Sequence, residues 1–302
     1  MIQRILTALV LIPLVLLLIL RAPLPVLAIV SGIVALLAIR EFLELARHYG
    51  VEPFSIATYF LVGFLFVPIL AINTSQGDLL DFRVPQFFSA IGLMIALGPF
   101  IFLSMGLKRR SLASIYPAAS ASVFAIGYIA IPMALLIDIR LSSAGAFMLI
   151  FLMAVVWSGD IFAYFVGKSL GRHKMSPRIS PKKTWEGAAA SVIASIFFGT
   201  LLYRYSLPIG SWLLSVHLLK SPELDWYPVQ VPLWRVVLLA AVLNIAAQLG
   251  DLVESMIKRG ADVKDSGAIL PGHGGMLDRI DAMLFATPVL WLYSVWLGVS
   301  SQ

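Results

Sequence analysis

Cysteine is absent from this sequence of 302 residues. Disulfide bonds, zinc sites built on thiolates and thiol nucleophiles are therefore excluded, so the chemistry must use oxygen and nitrogen atoms. Charge is scarce as well, because Asp, Glu, Lys and Arg together make up 13% of the residues, whereas a soluble domain carries about 25%. A chain so poor in charge requires lipid around much of its surface.

Long apolar runs take the place of the missing charge, and hydrophobic residues make up 60% of the chain. A helix needs about 20 mainly apolar residues to cross the hydrocarbon core of a bilayer. Charged breaks separate nine runs of roughly that length. They predict an all-α integral membrane protein, a polytopic bundle of about nine transmembrane helices near residues 4–20, 23–39, 57–72, 87–106, 114–137, 145–167, 186–205, 232–255 and 279–299.

The first apolar run, which follows Arg4, has two interpretations. It resembles the core of a cleaved signal peptide, but Arg21-Ala22-Pro23 is not a small-residue cleavage site, and more apolar runs follow. We interpret it as a retained helix.

The basic residues are distributed unevenly between the two sides of this bundle. Sixteen of the 22 Lys and Arg residues fall on the side of the N-terminus, which predicts a cytoplasmic N-terminus and a C-terminus on the opposite side. Ten of the sixteen lie in two loops, 168–183 and 258–279. The positive-inside bias explains basic residues in general, whereas their concentration beside intramembrane carboxylates indicates a site for anionic ligands.

Residues 1–140 are hydrophobic and chemically quiet, whereas polar residues that could carry chemistry enter the predicted helices from Trp157 onward. We therefore expect a single membrane domain in which residues 1–140 form a scaffold of helices and residues 141–302 form the catalytic region. The sequence contains no soluble domain and no convincing internal repeat, and we expect no nucleic acid among its partners.

The eighth predicted helix carries a polar stripe of four residues, Asn244, Gln248, Asp251 and Ser255. Their spacing of four, three and four places them on one helical face. Because an ionised Asp inside a membrane helix costs about 2.5–3.5 kcal/mol, the stripe should face a polar cavity or a bound cation. The alternative is a hydrogen-bonded seam between helices.

The loop that follows, residues 258–281, is rich in glycine and basic residues and leads into a helix N-terminus, where anions are favoured. Asp278 and Asp281 lie one turn apart at the start of that helix. Together with Asp251 they form an oxygen-ligand set suited to Mg²⁺. Capping of the helix is the alternative role of Asp278, but it leaves Asp251 and Asp281 unexplained.

Two further polar motifs precede the seventh predicted helix. Residues 180–187 read SPKKTWEG, in which two lysines lie at the cytoplasmic surface and Thr184 is suited to cap the helix; a positive-inside stop signal is the alternative interpretation. Asp160, Tyr164 and Lys168 recur every four residues on one helical face. A purely structural Asp–Lys pair is the alternative there.

These residues resemble the phosphatidate cytidylyltransferase family. The run 255–281 fits the family's signature without departure: Ser-x-Ile-Lys-Arg, four residues, Lys-Asp-x-Gly, then Leu-Pro-x-His-Gly-Gly-Met-x-Asp-Arg-Ile-Asp. The segments 160–167 and 180–187 are also similar to the family, whereas the N-terminal helices match by hydropathy alone.

The resemblance implies transfer of the cytidylyl group of CTP to phosphatidic acid, in the cytoplasmic membrane of a bacterium. It further implies a polar cavity open to the cytoplasm, Mg²⁺ with room for a second cation such as K⁺, contact with membrane lipid, and a homodimer. Asp251, Asp278 and Asp281 match the family's metal-binding acids.

From the motifs and the resemblance together we predict two sets of site residues. The predicted catalytic residues are Asp251, Asp278, Asp281, Lys258, Arg259, Lys264, Asp265 and His273. The predicted substrate-binding residues are Lys182, Lys183, Ser180, Thr184, Asp160, Ser255, Gly274, Gly275 and Arg279.

Two other functions place similar residues in a membrane bundle. A CTP-dependent kinase of polyprenols or other lipids would transfer the γ-phosphoryl group instead, and the complete signature argues against it. A secondary transporter of anionic solutes would place polar interruptions in matching halves, whereas here the polar residues are confined to one half.

Overall fold

The computed structural model describes residues 2–70, 80–142, 144–219, 226–228, 230–269 and 274–300, and these residues are mostly helical. Five helices are long and apolar enough to cross a membrane: Leu24–His48, Leu112–Leu141, Gly145–Ser169, Trp185–Arg204 and Leu233–Gly260. Three shorter apolar helical segments occur at Leu9–Arg21, Ser55–Val67 and Ile91–Gly106. The expectation of a helical membrane protein is confirmed at this level, and the count of nine spans stays a prediction.

A helix occurs at each of the nine predicted positions. The α-helices are α1 (Ile2–Arg21), α2 (Leu24–His48), α3 (Ser55–Leu70), α4 (Leu80–Gly106), α5 (Ile115–Ala125), α6 (Ile131–Leu141), α7 (Gly145–Ser169), α8 (Trp185–Arg204), α9 (Ser206–Ser215), α10 (Leu233–Gly260) and α11 (Leu277–Ser300). A 3₁₀ turn, Leu112–Ser114, precedes α5, and a π-helical segment, Ile126–Ala130, joins α5 to α6.

The structure differs from the prediction in several places. Helix α2 continues nine residues beyond the predicted end at 39, to His48, because Arg40 and Glu41 interrupt the apolar run without breaking the helix. Helix α9 lies between the predicted positions 186–205 and 232–255, where no helix was predicted. Residues 174–184, predicted to form a loop, contain the antiparallel strands β1 (Lys174–Ser176) and β2 (Ser180–Thr184).

The chain divides into two compact units. The first contains Met1–Ala22, Asp138–Arg259 and Ile280–Gln302, and the second contains Pro23–Ile137 and Gly260–Arg279. The predicted division into a scaffold, 1–140, and a catalytic region, 141–302, concerns function and stays a prediction.

Each unit has its own apolar core. In the first unit, Phe147 on α7 contacts Trp226 edge to face, with ring centroids 5.6 Å apart. In the second unit, Phe42 on α2 stacks on Phe124, with centroids 5.6 Å apart. Large apolar side chains such as Phe60 and Ile193 are exposed, as expected where helices face lipid tails.

Candidate functional site

A polar cavity of about 690 Å³ lies in the first unit, between α7, the β1–β2 hairpin, α8 and α10. Its volume falls within the range of about 300–1,000 Å³ that is usual for small-molecule sites. The charged side chains on its wall are four lysines and two aspartates: Lys168, Lys174, Lys182, Lys183, Asp160 and Asp251. The excess of positive charge favours an anionic ligand.

The hairpin and the start of α8 place the two adjacent lysines on the cavity wall. Thr184 ends β2 and caps α8, where its hydroxyl accepts a hydrogen bond from the Gly187 backbone N–H at 3.2 Å. The predicted cap is therefore confirmed. Because β2 runs directly into this cap, Lys182 and Lys183 are held beside the first turn of α8. Ser180 pairs with Ser176 across the hairpin.

The polar stripe of α10 is divided between two roles. Asn244 donates hydrogen bonds to the hydroxyls of Ser191 and Ser195 on α8, at 2.9 and 2.8 Å. Gln248 donates to the backbone carbonyl of Ala188 and to the Asn244 side chain, at 3.2 and 2.6 Å. Asn244 and Gln248, the N-terminal half of the stripe, thus form a hydrogen-bonded seam between helices, which was the alternative interpretation.

The C-terminal half of the stripe, Asp251 and Ser255, lies at the cavity, and Asp251 is part of its wall. Asp251 forms an ion pair with Lys183 at 2.7 Å, and its side chain remains 38% exposed. Ser255, one turn further, donates a hydrogen bond to Asp251 at 3.3 Å. The structure thus brings together one predicted metal ligand, Asp251, and one predicted substrate-binding residue, Lys183.

Gly159 on α7 allows the seam to form. A Cβ at this position would lie 2.2 Å from Asn244 Nδ2 and 2.7 Å from the Ser191 hydroxyl. No side chain fits at that distance, so α7 approaches the polar contacts of α8 and α10 only because residue 159 lacks one.

We expect Gly159→Ala to lower the stability of the detergent-solubilised protein by about 1–3 kcal/mol, because the added methyl group overpacks the seam. Thermal unfolding measures this change. Gly92→Ala is the matched control, since a Cβ there meets nothing within 4 Å. Equal melting temperatures for the two variants would contradict the expected overpacking.

Lys258 and Arg259, two of the predicted catalytic residues, have partners within the first unit. Lys258 forms an ion pair at 2.5 Å with Glu254, whose side chain is fully buried. Arg259 donates a hydrogen bond to the backbone carbonyl of Ile179 at 3.4 Å. Glu254 was not identified from the sequence, although its spacing of four from Lys258 is a recognisable signal for a helical ion pair.

Asp281 on α11 lies where this helix contacts α10, beside Gly250. A Cβ at Gly250 would lie 2.5 Å from the Asp281 backbone carbonyl, so the two helices are in close contact there. The Asp281 carboxylate interacts electrostatically with Asp251, Asp160 and Lys258. Among the described residues, no group of three or more His, Asp or Glu side chains is arranged to hold a metal ion. The predicted set of three carboxylates stays a prediction.

Most of the glycine-rich loop, Gly260–Arg279, lies in the second unit. Asp278 accepts hydrogen bonds from the backbone N–H groups of Ser266 and Gly275, at 3.0 and 2.7 Å. Both N–H groups precede α11, so these hydrogen bonds hold the first turn of the helix against the loop rather than cap the helix. Three other predicted residues of this loop are exposed: Lys264, Asp265 and Arg279. His273 lies outside the described residues.

Glu41 on α2 contacts this loop, and the sequence analysis did not identify it. Its side chain is 5% exposed and accepts hydrogen bonds from the Ser266 hydroxyl and from the backbone N–H groups of Met276 and Leu277. The N–H groups at the start of α11, which the sequence suggested for anion binding, thus bind carboxylates of the chain itself. A single Glu between Arg40 and Phe42 carried no signal for this contact.

A profile of the Cytidylyltransferase family matches residues 2–297. The chain belongs to this family. Membership of the cytidylyltransferase family therefore extends over the N-terminal helices, for which the sequence offered hydropathy alone.

Curated relatives within the family carry the name phosphatidate cytidylyltransferase. The relative from Brucella abortus is 41% identical over 145 residues, which are 48% of this chain and 46% of that protein. The relative from Bacillus subtilis is 42% identical over 157 residues, 51% of this chain and 50% of that protein. The chain thus spans about half the length of these two relatives.

A longer match joins the chain to the phosphatidate cytidylyltransferase of Staphylococcus saprophyticus. The two are 34% identical over 226 residues, which cover 68% of this chain and 78% of the relative.

Proposed function

We propose that this protein transfers the cytidylyl group of CTP to phosphatidate, giving CDP-diacylglycerol and pyrophosphate. The observation that carries the proposal is the Lys183–Asp251 ion pair on the wall of a cavity that is positive overall, in a membrane protein of the cytidylyltransferase family. Both substrates are anionic phosphates, and phosphatidate is also a membrane lipid, so a cationic cavity in a membrane protein suits the pair.

The reaction is an in-line displacement at phosphorus. A phosphate oxygen of phosphatidate attacks the α-phosphorus of CTP, and the bond from that phosphorus to the oxygen bridging the β-phosphate breaks. Pyrophosphate leaves with the electron pair of that bond. Because a phosphate monoester is largely ionised at neutral pH, the attack needs no strong general base.

The lysines of the cavity bind and align the phosphates in this proposal. Lys182 and Lys183 are adjacent in β2 and line the same wall, so together they present two cations to the oxygens of a triphosphate or a lipid phosphate. Phosphoryl-type transfer depends mainly on alignment and on neutralising charge. Lys168 and Lys174 add positive charge to the cavity.

Mg²⁺ fits the acidic side chains of the first unit. Asp251 and Asp281 offer carboxylate oxygens from two helices in contact at Gly250, and Mg²⁺ is usually held by one or two carboxylates together with waters and substrate phosphates. When bound, the ion would offset the negative charge that develops on the phosphate oxygens. Asp278 as a third ligand, a second cation such as K⁺ and the homodimer remain predictions.

One assay tests the proposed activity. Purified protein is incubated with phosphatidate, Mg²⁺ and CTP labelled either in the cytidine or in the γ-phosphate. Cytidylyl transfer gives a cytidine-labelled lipid and labelled pyrophosphate. A γ-labelled lipid would indicate a lipid kinase instead, and no labelled lipid from either nucleotide would overturn the proposal.

For the orientation in the membrane, we propose a bundle of about nine spans with a cytoplasmic N-terminus and a cavity open to the cytoplasm. Single cysteines at Ser176 and Ala268, in this cysteine-free chain, are expected to resist an impermeant thiol reagent in intact cells and to react after lysis. Ala268 is chosen for the second loop because the neighbouring Ser266 is buried against Glu41 and would not react with the reagent. Labelling of either cysteine from outside would contradict this orientation.

A further inference from the structure

The segment that follows α10 is organised around one buried carboxylate of α2, within the second unit. Glu41 Oε2 accepts hydrogen bonds from the Ser266 hydroxyl at 2.9 Å and from the Leu277 backbone N–H at 2.8 Å. Glu41 Oε1 accepts from the Met276 backbone N–H at 2.9 Å. The carboxylate therefore binds both ends of the segment 266–277.

The packing at Glu41 leaves no room for a side chain at position 275. A Cβ at Gly275 would lie 2.3 Å from Glu41 Oε2 and 2.2 Å from the Ser266 hydroxyl. A side chain at position 275 would force the contact apart, so the glycine is required by the close approach of the carboxylate. Asp278 also links the two ends of the segment, because its carboxylate accepts hydrogen bonds from the backbone N–H groups of Ser266 and Gly275.

A buried carboxylate is unfavourable unless hydrogen bonds compensate for its lost hydration. Here the compensating donors all come from the signature segment, more than 220 residues away along the chain. The contact therefore forms only when α2 and the segment are both in their native positions. Each end of the segment is fixed by at least one hydrogen bond to Glu41.

We propose that Glu41 is a positioning residue, whose buried carboxylate holds Ser266, Met276 and Leu277 of the signature segment in the arrangement needed for cytidylyl transfer. This inference rests on the proposed function and assigns to α2 a part in it. Glu41 contacts none of the reacting atoms in this proposal. It acts through Ser266, Met276 and Leu277.

The test uses Glu41→Gln in the full-length protein, with Glu44→Gln as the matched control. Glu44 lies one turn further along α2, is exposed, and pairs with Arg47. In Glu41→Gln, one acceptor oxygen becomes an NH₂ group that faces backbone N–H donors. We expect turnover per folded molecule to fall about tenfold to a hundredfold, as is usual when catalytic groups lose their alignment, while Glu44→Gln keeps wild-type turnover.

A local readout separates positioning from general destabilisation. Amide hydrogen exchange, followed by mass spectrometry in detergent without substrates, should become faster in the peptide containing Gly275, Met276 and Leu277. It should stay unchanged in peptides from α7 and α8. Faster exchange throughout the protein, or wild-type exchange and turnover in Glu41→Gln, would overturn the proposal.

A second variant covers the case in which Glu41→Gln does not fold. Ser266→Ala removes one hydrogen bond to Glu41 and keeps the carboxylate with its two backbone donors. We expect the same local increase in exchange, smaller in size, and unchanged exchange in Ser266→Ala would overturn the proposal. Because exchange is measured without substrates, its result is independent of the assay for CDP-diacylglycerol, and absence of that product from wild-type protein would overturn the proposed function alone.

Discussion

Asp251→Asn and Asp281→Asn are each expected to lower kcat/KM for cytidylyl transfer by about a hundredfold or more. Loss of a group that holds or orients a catalytic metal has effects of at least this size. The amide keeps the shape of each side chain and removes the charge that Mg²⁺ requires. Initial rates of liponucleotide formation at several CTP concentrations measure the change.

Asp138→Asn is the matched control for these two variants, because Asp138 is another acidic residue of a membrane helix in the first unit. Its carboxylate accepts a hydrogen bond from the Trp291 indole N–H at 2.7 Å, and an amide oxygen can accept the same bond. Near-normal turnover is expected for this variant. If Asp251→Asn and Asp281→Asn matched it, or if wild-type activity survived excess EDTA, the two carboxylates would have a structural role.

The stabilities of the two variants should differ. Asp281 interacts with two acidic residues, Asp251 and Asp160, and with one basic residue, Lys258. Neutralising it relieves more repulsion than it removes attraction, so the metal-free variant should melt no lower than wild type. Asp251 has Lys183 as its ion-pair partner at 2.7 Å. Removing its charge leaves that lysine without its partner carboxylate, so Asp251→Asn should gain less stability than Asp281→Asn.

Lys183→Gln is expected to produce the second largest loss, about tenfold to a hundredfold in kcat/KM, because a cation aligned with phosphate oxygens is lost from the cavity. Lys182→Gln should lower activity as well, since Lys182 lines the same cavity. Membrane insertion should be normal in both variants, as judged by the yield of detergent-extracted protein.

Lys108→Gln is the control for the lysine pair. It removes one positive charge from the same predicted side of the membrane, at an exposed position after α4. If the pair acts only through the positive-inside bias, all three substitutions should have equal and small effects.

The double variant Lys183→Gln with Asp251→Asn should lose less kcat/KM than the product of the two single losses, because the two side chains contact each other.

Several features of the fold were predictable because they depend on residues close together in the chain. Apolar runs of about twenty residues predicted the positions of α7, α8 and α10 to within a few residues. Thr184 was identified as a cap from its place before Trp185 and Glu186, and its hydroxyl does accept the hydrogen bond from Gly187. The β1–β2 hairpin was missed because residues 174–184 are short and polar, without the alternating pattern that predicts strands.

The sequence by itself determined that the chain is a helical membrane protein with its signature residues in 255–281, because hydropathy and spacing are local properties. Only the tertiary structure decided which partner each polar group has. On one stripe of α10, it assigned Asn244 to a seam with α8 and Asp251 to Lys183 in the cavity. It also brought Glu41, from a half of the chain that looked chemically quiet, to Ser266 and Leu277. Such contacts join residues far apart in the chain, and a buried carboxylate takes whichever donors the packing of helices brings to it.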